Sequence, residues 1–231
     1  MSKDFDTMKT EVLRNLGYED DSSTGIDDLL TDIGIWLNNR YREIWTLRTW
    51  AESFVEEDII VPANTNEFSM PSSMQTVVSI RNGTTVLLPI DPSQINKVSA
   101  SLWTNTGDAY RFYQKGTSGI RIFGQYTTAT TMSLFGKKGF SELVNGTDSP
   151  CLICEDIIIA GATADGQRIS ERNMSKGDYY EQIYAKLLKI KVNESENQQA
   201  KEVAFRPVMP WTNVESPTGV FTDSSTSKVP L

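Results

Sequence analysis

Apolar residues near the start of the chain recur every three or four positions. Those on one face of this segment are Phe5, Met8, Val12 and Leu16. Residues with this spacing lie on the same side of an α-helix, and a glycine commonly follows the last turn. The pattern therefore predicts a first helix from Asp4 to Leu16, ended by Gly17.

A longer apolar stripe predicts a second helix from Ile26 to about Trp50. The stripe consists of Ile26, Leu30, Ile33, Leu37, Tyr41 and Ile44. Thr24 precedes Asp27 by three residues. Because this spacing is typical of a residue that caps the start of a helix, Thr24 is the predicted N-cap.

Tryptophan and arginine residues are concentrated near the end of this second helix. At about 100° per residue, Trp45 and Arg42 fall on the polar face, whereas Arg40 and Arg48 fall inside the apolar sector. Two interpretations are open. In one, the arginines extend along the surface and the β-region covers Trp45. In the other, the helix contacts another subunit, since interfaces are enriched in both residue types. The predicted subunit-interface residues are Arg40, Arg42, Trp45 and Arg48.

From Glu52 to Asp148 the periodicity changes to the alternation typical of β-strands. Seven short runs rich in β-branched and aromatic residues are separated by proline, glycine and asparagine-glycine turns. Asn82-Gly83 predicts one tight hairpin, because such turns need positive φ angles, and Gly116 with Gly119 predicts another. Residues 51–148 therefore form a predicted small antiparallel sandwich or barrel, inserted between helices.

Two further helices are predicted after the β-region. Ser149 is the predicted cap of the first, with Pro150 at its first position, where the missing N–H costs nothing. Small residues between positions 160 and 166 leave part of this helix nearly smooth, which permits another helix to approach closely. Asp178 is the predicted cap of the second helix, and Glu181 completes its capping box.

Together these elements predict an α+β fold. The helices of residues 1–50 and 149–200 form a helical bundle, and the β-domain of residues 51–148 is inserted between them. Residues 201–231 are rich in proline, serine and threonine, which predicts an extended C-terminal arm. The aromatic residues predicted to anchor this arm on a partner are Phe205, Trp211 and Phe221.

The charge of the chain narrows the range of partners. The net charge is −8, and lysine and arginine residues are scattered along the sequence. Proteins that bind a phosphate backbone cluster their cations, so the chain is not expected to read nucleic acid. An acidic surface past which DNA slides is compatible with this charge. No apolar run resembles a secretion signal or reaches the roughly 20 residues that span a bilayer, which predicts a soluble intracellular product.

The residue types that catalysis and cofactor binding need are sparse. The chain has no histidine, which removes the commonest general base and metal ligand. Cys151 and Cys154 form a C-x-x-C pair, but a zinc site needs a second pair of ligands. Both thiols are therefore predicted to be packing residues. The acids at positions 56–58 alternate between the faces of a predicted strand and do not converge. The sequence predicts no catalytic residue, no cofactor and no metal site.

Four segments carry a resemblance to a known family. They are LLTDIGIWLNNRYREIWTLRTWAE, NEFSMPSSMQTVVSIRNGTTVLLPI, YRFYQKGTSGIRIFGQY, and the helix pair DIIIAGATADGQRISE with YYEQIYAKLLK. In this order they resemble the head-to-tail adaptor proteins of tailed bacteriophages, also called connector or neck proteins. The resemblance covers roughly residues 1 to 200.

The resemblance implies a structural virion protein that is made in the host cytoplasm and is not an enzyme. It implies a dodecameric ring at the head-tail junction, with the portal protein on one side and a tail or nozzle protein on the other. Genomic DNA would only pass through the channel of this ring. The C-terminal arm would then bind the portal or an adjacent adaptor subunit.

Two other functions fit parts of the sequence. One is a tail-associated peptidoglycan hydrolase, which would reduce the turbidity of a cell-wall suspension. The other is a carbohydrate-binding or similar β-rich tail module, for which residues 50–148 alone would bind glycans. The adaptor function accounts for more features, because it needs no catalysis, tolerates an acidic channel and uses aromatic and arginine residues between subunits.

Overall fold

The structure, a computed structural model, describes residues 3–18, 26–97, 101–107 and 109–205. The described residues form five α-helices and seven β-strands. The helices are α1 (Phe5–Leu16), α2 (Ile26–Leu47), α3 (Ser101–Thr104), α4 (Glu155–Ile169) and α5 (Met174–Phe205). The strands are β1 (Phe54–Val61), β2 (Glu67–Ser69), β3 (Met74–Asn82), β4 (Thr85–Pro89), β5 (Arg111–Lys115), β6 (Gly119–Ile122) and β7 (Thr130–Lys138).

The chain divides into two units, Met1–Ser195 and Glu196–Leu231. The first unit contains the whole sheet and α1 to α4. None of the helices that the structure describes combines the length and the apolar character needed to cross a membrane.

Helix α1 confirms the first prediction from the sequence. Asp4 Oδ1 accepts a hydrogen bond from the Thr7 amide at 2.8 Å, which satisfies one of the free N–H groups at the helix start. Gly17 adopts a φ of 99°, in the left-handed region, and its amide donates to the Arg14 carbonyl. This is the usual way in which glycine ends a helix.

The described part of helix α2 covers Ile26–Leu47 and ends three residues before the predicted end at Trp50. Trp50 folds back on the helix instead. Its Nε1–H donates to the Ile44 carbonyl at 2.8 Å, and the side chain is fully buried. The bond satisfies one of the carbonyls that the last turn of a helix leaves free. The predicted cap, Thr24, lies outside the described residues.

The first core lies between helices. α1, α2 and α4 share it, and Tyr184 of α5 joins them. At Gly166 of α4 an added Cβ would lie 2.8 Å from Trp36 Cζ3, closer than real contacts allow. The prediction that small residues in this helix permit close approach is therefore confirmed.

The seven predicted β-runs are confirmed as seven strands, which form one nearly closed sheet in the order β1-β7-β3-β4-β5-β6-β2. Its inner face forms a second core that includes Val61, Ile80, Leu87, Phe112, Ile120, Met132 and Leu134. The prediction of an entirely antiparallel arrangement is wrong, because β4 and β5 are parallel. Between these two strands the chain runs through a turn at 92–97 and α3, which is the kind of longer connection that parallel neighbours need.

Both predicted hairpins are present. β3 and β4 pair up to Asn82 and Thr85, so the loop consists of residues 83 and 84. Only Gly83 has a positive φ there, 55°, whereas the prediction also assigned one to Asn82. The second hairpin joins β5 to β6 through Gly116, whose φ is 65°.

The predicted starts of the last two helices are wrong. α4 begins at Glu155, so Ser149 and Pro150 lie in the preceding loop and Ser149 does not cap it. α5 begins at Met174, four residues before the predicted cap Asp178. The Asn173 side chain takes that position, because its Oδ1 accepts from the Lys176 amide at 3.1 Å.

Helix α5 also ends later than predicted. It continues to Phe205, whereas the predicted arm begins at residue 201. Phe205 is therefore a helical residue and not part of an extended segment. Trp211 and Phe221, the other predicted anchors of the arm, lie outside the described residues.

Candidate assembly interface

Arg40, predicted at a subunit interface, connects α2 to α4 and α5 within its own chain. Its Nε and Nη2 donate to the two carboxylate oxygens of Asp165 at 2.8 and 2.7 Å. Nη2 also donates to Glu181 Oε2 at 2.9 Å, and Nη1 lies 3.2 Å from a carboxylate oxygen of Glu43. A planar guanidinium fits a carboxylate with two parallel bonds, which fixes its orientation. The Arg40 side chain is only 13% exposed, so these contacts join helices and are mostly shielded from water.

Arg168 of α4 extends this cluster toward the start of α5. Its Nη1 donates to Glu181 Oε2 at 3.1 Å and its Nη2 donates to Asp178 Oδ1 at 2.8 Å. Glu181 is therefore shared by two arginines. The hydrogen bonds with Asp165 raise the pKa of Arg40 above its already high ordinary value, so its charge persists at every accessible pH. The residues that we call the helix clamp are Arg40, Asp165, Arg168, Asp178 and Glu181.

A glycine in α4 makes room for the helix clamp. At Gly161 an added Cβ would lie 2.9 Å from Arg40 Cδ and 3.0 Å from Tyr184 Cδ2. The Arg40 guanidinium lies 4.9 Å from the centre of the Tyr184 ring, within the range of a cation–π contact. The small residue in α4 thus allows the arginine of α2 and the aromatic ring of α5 to meet.

Trp45 lies in the helical core, which corrects the prediction that it faces away from it. Its side chain is 7% exposed. The ring contacts Tyr41 and Phe140 edge-on, with centroids 6.1 Å away in both cases. Phe140 comes from the segment after β7, which the helical periodicity of α2 alone does not place. The interpretation in which the chain itself covers Trp45 is the one that the structure supports.

The other two predicted interface residues also contact their own chain. Arg42 lies over the Phe140 ring at 5.2 Å and forms an ion pair with Glu142, while its side chain stays 53% exposed. Arg48 Nη1 donates to the Val192 carbonyl of α5 at 3.2 Å. A contact between α2 and a neighbouring subunit stays a prediction, and Arg42 is the residue of the four that is more than half exposed.

The sequence contained one signal for the helix clamp. Arg40 falls within the apolar sector of α2, where an arginine needs an acidic partner if it is buried. The partners themselves were not predicted, because Asp165 and Glu181 lie more than a hundred residues away. The sequence predicts a capping-box role for Glu181 instead, because such a box uses the same residue type for a local contact.

Cys151 and Cys154 are free thiols in the loop before α4. Burial raises the pKa of the Cys154 thiol to about 12. The Cys151 amide donates to Tyr41 Oη at 3.0 Å, and its thiol donates to the Glu52 carbonyl at 3.2 Å. In the part of the chain that the structure describes, no group of three or more acidic or cysteine side chains is arranged to hold a metal ion.

A cleft of about 690 Å³ lies between the end of β7, the loop before α4 and the helical core. Its acidic side chains are engaged: Glu142 pairs with Arg42, and Asp148 accepts from the amides of Val144 and Asn145 at 2.8 and 2.7 Å. These backbone hydrogen bonds lower the pKa of Asp148. The carboxylates of the cleft thus make contacts within the chain, in the segment that connects the sheet to the helices.

Comparison with protein families identifies the chain. The family model of the SU10 adaptor protein matches residues 3–209. The chain belongs to the SU10 adaptor protein family. The match begins before α1 and ends beyond α5, so it includes the helical core and the whole sheet. A comparison with curated proteins found no match.

Membership of the SU10 adaptor family confirms the resemblance to phage adaptors drawn from the sequence. The chain is accordingly a phage adaptor protein and a component of the virion. An adaptor family suggests a structural role and not an enzymatic one. For a protein of this class the relevant sites are surfaces that contact other proteins.

Proposed function

We propose that the chain forms a ring beneath the portal of a tailed phage and joins the DNA-filled head to the tail. The ring is dodecameric, contacts the portal on one side and contacts a tail or nozzle protein on the other. The observation that carries this proposal is the family match over residues 3–209, which includes every helix and strand of the first unit.

Two features of the chain support this role. A net charge of −8 suits the wall of a channel, because DNA and the wall repel each other and the genome passes without binding. The helix clamp suits a ring that holds head and tail together, because its ion pairs connect α2, α4 and α5.

The C-terminal arm supplies a second attachment in this proposal. Trp211 and Phe221, in the segment that follows Phe205 of α5, anchor it on the portal or on an adjacent subunit. Aromatic side chains are common anchors at interfaces. α2 contributes Arg42 to the contact between subunits, while Arg40, Trp45 and Arg48 support that contact from inside the bundle.

The proposal is tested by mixing the purified full-length chain with the portal protein of the same phage. Mass photometry gives the number of copies bound per portal, and electron microscopy gives their position. We expect one additional ring on the tail-facing side of the portal. Binding of single copies without a ring, or no binding at all, would contradict the proposal.

A further inference from the structure

The outer face of the sheet across β1, β7, β3 and β4 carries apolar side chains that are open to solvent. Ile60 is 72% exposed, Leu88 is 58% exposed and Phe135 is 39% exposed. Phe54 stacks on Phe135 with the ring centroids 5.2 Å apart and the planes at 6°. Single exposed apolar residues are ordinary, but a group of them on one face marks an interaction surface.

The chain covers the rest of this face itself. Tyr113 on β5 follows the buried Phe112 and therefore points to the outer side of the sheet. There it packs against a cluster in which Trp103 and Phe123 stack with centroids 4.0 Å apart. The connection between β4 and β5 thus shields the outer face from Tyr113 onward, and leaves the first four strands of the sheet order and Arg111 at the start of β5 open.

Charges divide the open face into two parts. Glu56 and Asp58 lie on the edge strand β1, whereas Arg81 lies on β3 and Arg111 follows on β5, and all four are exposed. Asp58 and Arg81 both pair in register with Ser133 of β7, from opposite sides. Adjacent strands are about 4.8 Å apart, so about 10 Å separates the backbones of this acid and this base.

The two parts are named by their charge. The acidic half consists of Phe54, Glu56, Asp58 and Ile60, and the basic half consists of Arg81, Val86, Leu88 and Arg111. Each half combines two like charges with two apolar side chains. One basic residue, Lys137 of β7, lies beside the acidic half. It pairs in register with Phe54, at the opposite end of β1 from Ile60.

We propose that the acidic half of one copy binds the basic half of a second copy. Copies with a net charge of −8 repel one another, so a contact between them needs a local basic surface opposite an acidic one. The apolar residues of both halves supply the buried area. When the two halves of one copy bind two different neighbours, the contact is head-to-tail, and its repetition closes a ring if the rotation between copies closes.

This inference rests on the proposed ring function and specifies which surfaces hold the ring together. The sequence had placed this contact on α2, where the structure gives Trp45, Arg40 and Arg48 internal partners. The acidic and basic halves on the outer face of the sheet form a separate surface, and their residues lie between positions 54 and 111.

The test reverses the charges of each half in the full-length chain. One variant carries Glu56→Lys with Asp58→Lys, and another carries Arg81→Glu with Arg111→Glu. Each puts like charges at every contact, and we expect each to need at least roughly tenfold more protein to form a ring on the portal. The variant with all four substitutions exchanges the two halves, and we expect it to assemble within about threefold of the unmodified chain, since opposite charges meet again.

Mixing the two double variants provides a second readout. One has two basic halves and the other has two acidic halves, so an equimolar mixture should form alternating rings. The control is Lys186→Glu with Lys189→Glu on the exposed side of α5, which changes the net charge as much as the arginine variant. Its rings should form normally. Far-UV circular dichroism verifies folding, and the milder pair Glu56→Gln with Asp58→Asn replaces the lysine variant if that one does not fold.

Three results would overturn the inference. In the first, both double variants assemble as the unmodified chain does. In the second, the quadruple variant folds but assembles as poorly as the double variants. In the third, rings form normally but lose the tail protein, which assigns the face to that partner. If the unmodified chain places no ring on the portal, the proposed function fails as well, and this result is distinct from the other three.

Discussion

Replacement of Trp45 by alanine separates a core role from an interface role. The side chain is 7% exposed and contacts Tyr41 and Phe140. A buried tryptophan removes roughly 200 Å² from water, which at about 25 cal/mol per Å² corresponds to about 5 kcal/mol. This value is an upper bound, because the unfolded chain already buries part of that area. Measured losses for such truncations are about 3–5 kcal/mol, so we expect a loss of about 4 kcal/mol in the free energy of unfolding.

Urea unfolding followed by far-UV circular dichroism measures this loss. If the free energy of unfolding falls by about 3 kcal/mol per M of urea, the midpoint of unfolding should shift by about 1.3 M. Leu47→Ala is the matched control, because Leu47 lies on the same helix and is 54% exposed. Its cost should stay below about 0.5 kcal/mol.

One result would refute this reasoning. If Trp45→Ala unfolds at the same urea concentration as the unmodified chain but no longer joins the ring, then Trp45 contacts a neighbouring subunit. The predicted role of α2 as a direct interface would be restored. A destabilised variant that still assembles at low temperature confirms the core role.

Three further predictions follow from the same structure. Arg40→Leu should lower the free energy of unfolding by about 2–4 kcal/mol, since it removes the cation that pairs with Asp165 and leaves Glu181 with Arg168 alone. Arg42→Leu should cost less than about 1 kcal/mol, because its ion pair is exposed, and equal urea midpoints for the two variants would contradict the helix clamp. Burial raises the pKa of Cys154 from about 9 to about 12, so the folded state should lose stability as the pH rises from about 9 toward 12. In thermal melts between pH 8 and 11, the melting temperature of Cys154→Ala should therefore fall less steeply with pH than that of the unmodified chain, and identical slopes would refute this cause. Truncation after Phe205 should leave the melting temperature unchanged but weaken binding to the portal, and unimpaired virion assembly by the truncated chain would rule out the arm.

The parts of the fold that the sequence predicts are those encoded locally. Alternating residues between turn signals predict all seven strands, and the apolar spacing with Gly17 predicts both ends of α1 to within one residue. The parallel pairing of β4 with β5 was missed, because strand order depends on contacts between distant segments. A local cap signal also failed at Asp178, which pairs with Arg168 instead of starting α5.

The candidate interface was predicted less well, for a related reason. The helical periodicity of α2 gives the direction of each side chain, but it does not show which other segment lies in that direction. Trp45 points away from the centre of the apolar stripe and is nevertheless buried, because Phe140 reaches it from the segment after β7. The open face of the sheet was not predicted either, because it combines residues of β1, β3, β4 and β5 that meet only in the folded chain.

The proposed function is tested most directly by cryo-electron microscopy of the portal with and without the full-length chain. We expect an added ring of twelve copies on the tail-facing side, coaxial with the portal and with an open central channel. Density for the sheet should lie against the sheet of the next copy through its acidic and basic halves. A portal that carries no added ring would contradict the proposed function.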